Sequence, residues 1–153
     1  MVEVKIIPTT VEHIRMLAAT LREDDRRECE RLGVTPFKGI WRSYRNAQVC
    51  KSGFIGDRIV AIWGISGGFL CFTGNPWVMT STVVDEYPFV FAMIYRRETR
   101  EMLKKYRILE SWVDAGYAKS LEMMRIIGFK EKERQPMGKH GELFVRLEMT
   151  AGG

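Results

Sequence analysis

The sequence contains little of what marks several common classes of protein. Cysteine occurs 3 times and histidine 2 times in 153 residues, and no CxxC or HxxxH spacing is present, which argues against a disulfide framework or a metal site. No apolar run approaches the roughly 18 residues needed to cross a bilayer, and the first residues lack the layout of a secretion signal. We therefore expect a protein without a membrane span that is not secreted.

The composition that is present is that of an ordinary globular domain. Hydrophobic residues make up 46% and charged residues 28% of the chain, which excludes a disordered protein. We expect a single domain over residues 2–149, followed by a short tail over 150–153. The net charge of +5 is compatible with nucleic acid, an acidic protein or a phosphorylated cofactor, although a solvated helix surface is the plainer interpretation.

Hydrophobic periodicity and turn residues predict seven strands and four helices. The strands are expected over 2–7, 49–54, 58–66, 77–84, 108–113, 129–133 and 143–149. The helices are expected from Val11 to about Leu32, then over 35–47, 88–106 and 119–127. Thr10 is expected to cap the first helix, and Gly56-Asp57 to form the turn of a hairpin between the second and third strands. Gly74-Asn75-Pro76 is typical of a turn, and residues 69–73, which include Cys71, are a further strand-like stretch. The order β-α-α-β-β-β-α-β-α-β-β predicts an α/β (α+β) mixed sheet with helices on both faces.

The segment from Val113 to Phe129 resembles one in a known superfamily. After Val113 and Asp114 comes a short helix ending in Ile127-Gly128-Phe129, in which Gly128 caps the helix and Phe129 begins the next strand. This is similar to the A-x-x-x-Y-x-x-x-G-F helix of the GNAT (acyl-coenzyme A N-acyltransferase) superfamily. The element order over about residues 2–149 is also similar. The resemblance implies a GNAT-like fold and, in members that are enzymes, acetyl-CoA as the cofactor.

A second resemblance is to the small GNAT-like internal virion or morphogenesis proteins of T7-like tailed phages. It rests on scattered identities over most of the chain, in the stretches Trp77-Val78-Met79-Thr80-Ser81, Met102-Leu103-Lys104-Lys105-Tyr106 and Arg125-Ile126-Ile127-Gly128. It implies a location in the host cytoplasm or the virion. It also implies a phage or host protein as partner in preference to nucleic acid, with a homo-oligomer left open.

The expected cofactor loop departs from the family pattern. Enzymes of the superfamily carry a [RQ]-x-x-G-x-[GA] loop before the long helix, where glycines let backbone N–H groups approach the pyrophosphate. The corresponding residues here include no glycine, and they are Val83, Val84, Asp85, Glu86 and Tyr87. We expect Asp85 and Glu86 to repel an anion, and Pro88 removes one donor. These positions, with Lys119, are the cofactor-binding candidates if a cofactor binds.

The catalytic residues implied by the resemblance are also incomplete. Many members use the tyrosine of the last helix to protonate the leaving thiolate, but alignment on Gly128-Phe129 places Met124 there, and a thioether donates no proton. The catalytic candidates are Asp114, at the end of a central strand, and Tyr117, in the loop that follows. Their plainer roles are a helix cap for Asp114 and a partly buried loop side chain for Tyr117.

Three functions remain open at this point. The departures above favour a non-catalytic GNAT-like phage protein that binds no cofactor and acts in virion assembly or inside the particle. The first alternative is a divergent acetyl-CoA-dependent N-acetyltransferase that acts on an amine of a small molecule or protein and holds phosphate with side chains such as Arg96 or Lys119. The second alternative is a binding module for a host protein or nucleic acid, which uses the basic helix over residues 96–105.

Overall fold

The computed structural model describes residues 2–67, 72–137 and 140–152, in which seven strands and six helices form. The strands are β1 (Lys5–Pro8), β2 (Val49–Ile55), β3 (Arg58–Ser66), β4 (Thr73–Thr80), β5 (Ile108–Asp114), β6 (Lys130–Pro136) and β7 (Leu143–Thr150). The helices are α1 (Val11–Thr20), α2 (Glu23–Arg31), α3 (Pro36–Asn46), α4 (Val83–Glu86), α5 (Pro88–Met102) and α6 (Ala118–Ile127). Within these ranges, no helix has the length and apolar character to cross a membrane. The predicted mixed α/β class is confirmed.

The described residues divide into two compact units. The first unit contains Met1–Ser66 and Trp77–Phe91, and the second contains Gly67–Pro76 and Ala92–Gly153. In the first unit, β1, β2 and β3 pair antiparallel. In the second unit, the start of β4 pairs parallel with β5, and β7 pairs antiparallel with β5 and β6. Strand β4 belongs to both units, and the hydrogen-bonding order is β1-β2-β3-β4-β5-β7-β6.

The β2–β3 hairpin shows how local sequence decides local structure. Ile55 pairs with Arg58, so the turn contains only Gly56 and Asp57. Gly56 has φ of 62°, a left-handed conformation that glycine adopts without steric strain. The hairpin predicted from the Gly-Asp pair is confirmed.

The first helical region differs from the prediction of one helix from Val11 to about Leu32. Helix α1 ends at Thr20 and α2 begins at Glu23, because bonds to a distant segment replace the helical ones. Leu21 forms an isolated antiparallel bridge with Ser81. The Arg22 N–H donates to the Thr80 carbonyl at 2.9 Å, and the Thr82 N–H donates to the Thr20 carbonyl at 3.1 Å. Long-range pairing therefore ends the helix where the local sequence would continue it.

Three other predicted boundaries were wrong. Gly74-Asn75-Pro76 is part of β4 instead of a turn, since parallel pairing of Thr73 and Gly74 with β5 holds the segment extended. The strand expected over 77–84 ends at Thr80, and the helix expected to reach residue 106 ends at Met102. Most of the stretch 69–73, including Cys71, lies outside the described residues.

Each unit has its own buried side chains. In the first unit, Ile14 and Leu17 of α1 pack with Ile40 of α3 and Ile62 of β3, all 0% exposed. In the second unit the buried side chains include Leu109, Leu121, Ile127, Phe129, Val145, Leu147 and Met149. Gly128 closes α6 with φ of 127°, and Phe129 follows it into the interior at 2% exposure. The predicted roles of Gly128 and Phe129 are confirmed.

The start of α1 is held by a small polar network. As predicted, Thr10 is the N-cap: its hydroxyl accepts from the His13 N–H at 3.3 Å, while His13 Nδ1 accepts from the Thr10 N–H at 3.2 Å. The same Nδ1 lies 3.0 Å from the hydroxyl of Ser52, which is 2.8 Å from the hydroxyl of Thr9. Because Nδ1 accepts a backbone hydrogen bond, the network requires neutral imidazole. Burial lowers the pKa of His13, and Glu12 partly opposes this.

This network predicts a pH-dependent stability. A histidine whose folded pKa lies below its usual 6.5 stabilises the fold above that pH, and the contribution is lost as pH falls through the folded value. The urea midpoint should therefore fall between about pH 7.5 and pH 5.5. His13→Gln keeps an acceptor suited to this position and does not titrate, so its midpoint should change less. If the urea midpoint falls equally with pH in the unchanged protein and in His13→Gln, the pH dependence does not come from His13.

Candidate functional site

The stretch expected to hold a cofactor is a turn of helix in the first unit. Val83–Glu86 form α4, directly after β4. Val83 and Val84 are buried, with 4% and 3% exposure, so these two side chains anchor the turn in the interior. The segment is therefore built around an apolar contact and not around glycine.

Most backbone donors of this turn are already used. Six amides at this turn donate hydrogen bonds to other described residues of the first unit. Their acceptors are the Val60 carbonyl for Ser81, the Thr20 carbonyl for Thr82, the Ser81 hydroxyl for Val83, the Ser81 carbonyl for Val84, the Thr82 carbonyl for Asp85 and the Val84 carbonyl for Tyr87. The bond lengths lie between 2.9 and 3.2 Å, which is normal for strong bonds. Pro88 has no N–H. This turn does not fit a pyrophosphate held by backbone amides.

The two carboxylates of α4 are each matched by an arginine of the first unit. Asp85 Oδ1 lies 3.3 Å from Arg22 Nε. The guanidinium of Arg58 donates to both carboxylate oxygens of Glu86, one of the two bonds measuring 3.1 Å. This pairing holds the pKa of Glu86 below its usual value. The repulsion expected from Asp85 and Glu86 is therefore largely cancelled by Arg22 and Arg58, neither of which the sequence indicated.

A third carboxylate near this turn, Asp25 of α2, was not a candidate from the sequence. Its Oδ2 accepts from the Thr80 N–H at 2.9 Å and from the Thr80 hydroxyl at 3.0 Å. Burial raises the pKa of Asp25, and the two bonds from Thr80 oppose that rise. The available signal was its position on the inward stripe of Ile14, Leu17 and Leu21, where an acid needs a partner.

Removing the carboxylate of Asp25 should expose its role. Asp25→Ala leaves the N–H of Thr80, a residue with 6% exposure, without its acceptor, and this should destabilise the protein by about 1–3 kcal/mol. Asp25→Asn keeps an oxygen acceptor and should therefore lower the free energy of unfolding clearly less than Asp25→Ala does. Urea denaturation at neutral pH measures both. Equal losses for the two variants would show that the hydrogen bonds from Thr80 are not what stabilises this contact.

The predicted catalytic pair lies in the second unit, at the end of β5. Asp114 is 7% exposed, and its Oδ1 accepts from the Gly116 N–H at 2.8 Å. The Asp114 carbonyl accepts from the Tyr117 N–H at 3.0 Å. Asp114 thus shapes the turn that leads into α6, and the turn fixes the position of its carboxylate. The helix cap expected of Asp114 does not form, because the N-cap of α6 is Tyr117 and no described side chain caps that helix. Tyr117 is half-buried and directly precedes α6.

Two cations of the second unit are free to meet an anion. Arg96 of α5 and Lys119 of α6 are exposed, and neither has an ion pair among the residues that the structure describes. Lys119 lies in the first turn of α6, close in sequence to Asp114 and Tyr117. Met124 is half-buried within α6. The candidates of this unit thus cluster at the end of β5 and the start of α6, apart from Arg96.

Comparison with known proteins places the fold. No protein-family model and no curated protein sequence matches the chain. Among solved structures, it is similar to a GNAT-family acetyltransferase from Bacillus anthracis, with a TM-score of 0.76 and 9% identity over 100% of this chain and 98% of the other. It is similar to a spermidine N-acetyltransferase SpeG chimera from Vibrio cholerae and hSSAT, with a TM-score of 0.72 and 8% identity, covering 96% and 95% of the chains.

A ribosomal-protein-alanine N-acetyltransferase from Brucella melitensis is a further match, with a TM-score of 0.68 and 13% identity over 95% of this chain and 99% of the other. Identities this low establish the fold and leave function to the site. The predicted GNAT-like fold is confirmed, while these matches give no support to the predicted phage origin. The chain has the fold of the GNAT-family acetyltransferases over nearly its whole length.

Proposed function

We propose that the protein is a divergent acetyl-CoA-dependent N-acetyltransferase that holds the cofactor's phosphates with side chains instead of a backbone loop. The observation that carries this proposal is the match of almost the entire chain to acetyltransferases. Two of those proteins are named for amine acceptors, spermidine and a protein alanine. An amine of a small molecule or protein is accordingly the substrate class proposed here.

The charges of the described residues support side-chain binding of phosphate. The acids expected to repel an anion are paired with Arg22 and Arg58. Arg96 and Lys119 are exposed and carry no ion pair within the described ranges, so a phosphate would need to displace no carboxylate from them. Lys119 also lies in the first turn of α6, where the helix dipole favours an anion.

The acceptor side of the reaction needs a base. When bound, the cofactor supplies a thioester, and the acceptor amine must lose its proton to become a nucleophile. Asp114 is the proposed acceptor of that proton, because it ends a central strand and its carboxylate is fixed by the Gly116 N–H. Tyr117 directly precedes α6, and we propose that it lies beside the substrate.

Binding of the cofactor is the first test. Calorimetric titration with coenzyme A should show saturable binding, and Arg96→Gln/Lys119→Gln should weaken it at least about tenfold, since two charge-assisted bonds are lost. The matched control is Arg97→Gln/Lys130→Gln, which removes two exposed charges of the same unit and should bind as the unchanged protein does. Absence of binding at millimolar coenzyme A would end the proposal.

A further double variant tests where the phosphate binds. Asp85→Asn/Glu86→Gln frees Arg22 and Arg58 from their ion pairs. If the phosphates are held by Arg96 and Lys119, affinity for coenzyme A should remain unchanged. A gain in affinity would place the anion at α4 and contradict the assignment to the other two cations.

The role of Asp114 is tested by its amide. Asp114→Asn keeps an oxygen for the Gly116 N–H, so the thermal midpoint should stay nearly unchanged. Loss of the base should reduce turnover by about 100-fold or more, measured as thiol release from acetyl-CoA with spermidine or an alanine-terminated peptide. Unchanged turnover would remove Asp114 from the mechanism. A clear fall in the thermal midpoint together with the loss of turnover would show that its role is structural.

A non-catalytic protein is the second candidate, and the closed turn at α4 favours it. The amides of that turn are bonded internally, and Met124 stands where the family's proton donor is expected. In this candidate the protein acts in virion assembly, a role suggested by the resemblance of its sequence to small phage virion proteins. The coenzyme A titration separates the two candidates, because only the enzyme requires the cofactor.

A further inference from the structure

Helix α3 presents a strongly basic surface in the first unit. Lys38, Arg42 and Arg45 follow one another at spacings of four and three residues, which places them on one side of the helix. All three are exposed. With Trp41 and Asn46 they line a depression of about 420 Å³. We refer to these five residues as the α3 basic face.

The cations of the α3 basic face are not neutralised locally. Helix α3 contains no acidic residue, and in the described part of the chain no carboxylate pairs with Lys38, Arg42 or Arg45. The basic helix that the sequence singled out, over residues 96–105, differs in this respect. It contains Glu98 and Glu101, and Glu101 pairs with Lys104 at 3.0 Å. The α3 basic face thus presents three cations with no acid among them, whereas two acids lie among the cations of residues 96–105.

Trp41 gives this surface a fixed aromatic ring. The ring stacks on Phe37 at 6.4 Å between centroids with 12° between planes, and Tyr44 lies 5.7 Å from it. All three rings pack against the buried core of the first unit, which fixes their orientation. The guanidinium of Arg45 lies 6.0 Å from the Trp41 centroid, at the limit of a cation–π contact. The indole is half-buried, so part of it faces the depression.

We propose that the α3 basic face binds single-stranded nucleic acid. The three cations meet successive phosphates, and a base stacks on Trp41. A positive groove combined with an aromatic platform is the arrangement that holds unpaired strands without reading their sequence. A duplex keeps its bases stacked inside and offers none to Trp41. An acidic peptide would satisfy the cations but would leave the aromatic ring without a stacking partner.

The test measures binding of a fluorescein-labelled oligothymidylate of about 16 nucleotides, a length within the usual site sizes, by anisotropy with the full chain. Between about 50 and 200 mM salt, three phosphate contacts predict that a plot of log affinity against log salt concentration has a slope of about −2. Arg42→Gln/Arg45→Gln should weaken binding at least about tenfold and make the slope shallower by about 1.4. Arg97→Gln/Lys130→Gln, a matched loss of two exposed charges in the second unit, should change neither.

The contribution of stacking is tested separately. Trp41→Leu keeps an apolar side chain against the core and should weaken binding about fivefold or more without changing the salt slope. Trp41→Phe should restore most of the affinity, which shows that any loss in the leucine variant comes from stacking and not from misfolding. A duplex of the same sequence length should bind more weakly.

Two outcomes would overturn the proposal. If Arg97→Gln/Lys130→Gln weakens binding as much as the α3 pair does, the attraction is a property of net charge and not of this face. If polyglutamate competes as well as the oligonucleotide and Trp41→Leu binds like the unchanged protein, the face suits an acidic protein instead. Loss of coenzyme A binding or turnover bears on the proposed enzyme alone and leaves this inference unaffected.

Discussion

The carboxylate of Asp25 accepts two hydrogen bonds from Thr80, and the candidate site of the first unit depends on this contact. Beside it, Arg22 and Thr82 exchange backbone bonds with Thr80 and Thr20, which ends α1 and joins the α1–α2 connection to the end of β4. Because residues 80–82 are held in this way, the chain turns directly into α4 with its amides bonded inside the unit. The backbone bonds thus set where the helix ends, and together with the Asp25 contact they hold the segment from which α4 begins.

At helix α4 the structure differs from what the fold of an acetyltransferase leads one to expect. Matches to acetyltransferases extend over nearly the whole chain, yet α4 offers apolar anchors and internally bonded amides in place of a glycine cradle. The sequence led us to expect that Asp85 and Glu86 repel an anion, but in the structure each is paired with an arginine. Arg96 and Lys119 have no ion pair within the described residues. A fold name is therefore a weaker guide to this protein than its distribution of free cations.

Local patterns predicted the elements well where local forces dominate. The Gly56 turn, the Thr10 cap and the closure of α6 by Gly128 each depend on a few adjacent residues, and each was predicted correctly. The predictions failed where distant strands intervene. Gly74-Asn75-Pro76 is extended because β5 pairs with its start, and Leu21 leaves its helix because it pairs with Ser81. Neither partner is visible in the local sequence.

By itself, the sequence determined the succession of strands along the chain, the mixed α/β class and the absence of glycine before the long helix, since these follow from periodicity and residue type. Only the tertiary structure decided which charges remain available. Whether an arginine is free depends on which carboxylate folding brings within about 4 Å of it, and spacing along the chain does not contain that information. For this reason the basic helix over residues 96–105 stood out in the sequence, whereas the uncompensated cations beside Trp41 became apparent only in the folded protein.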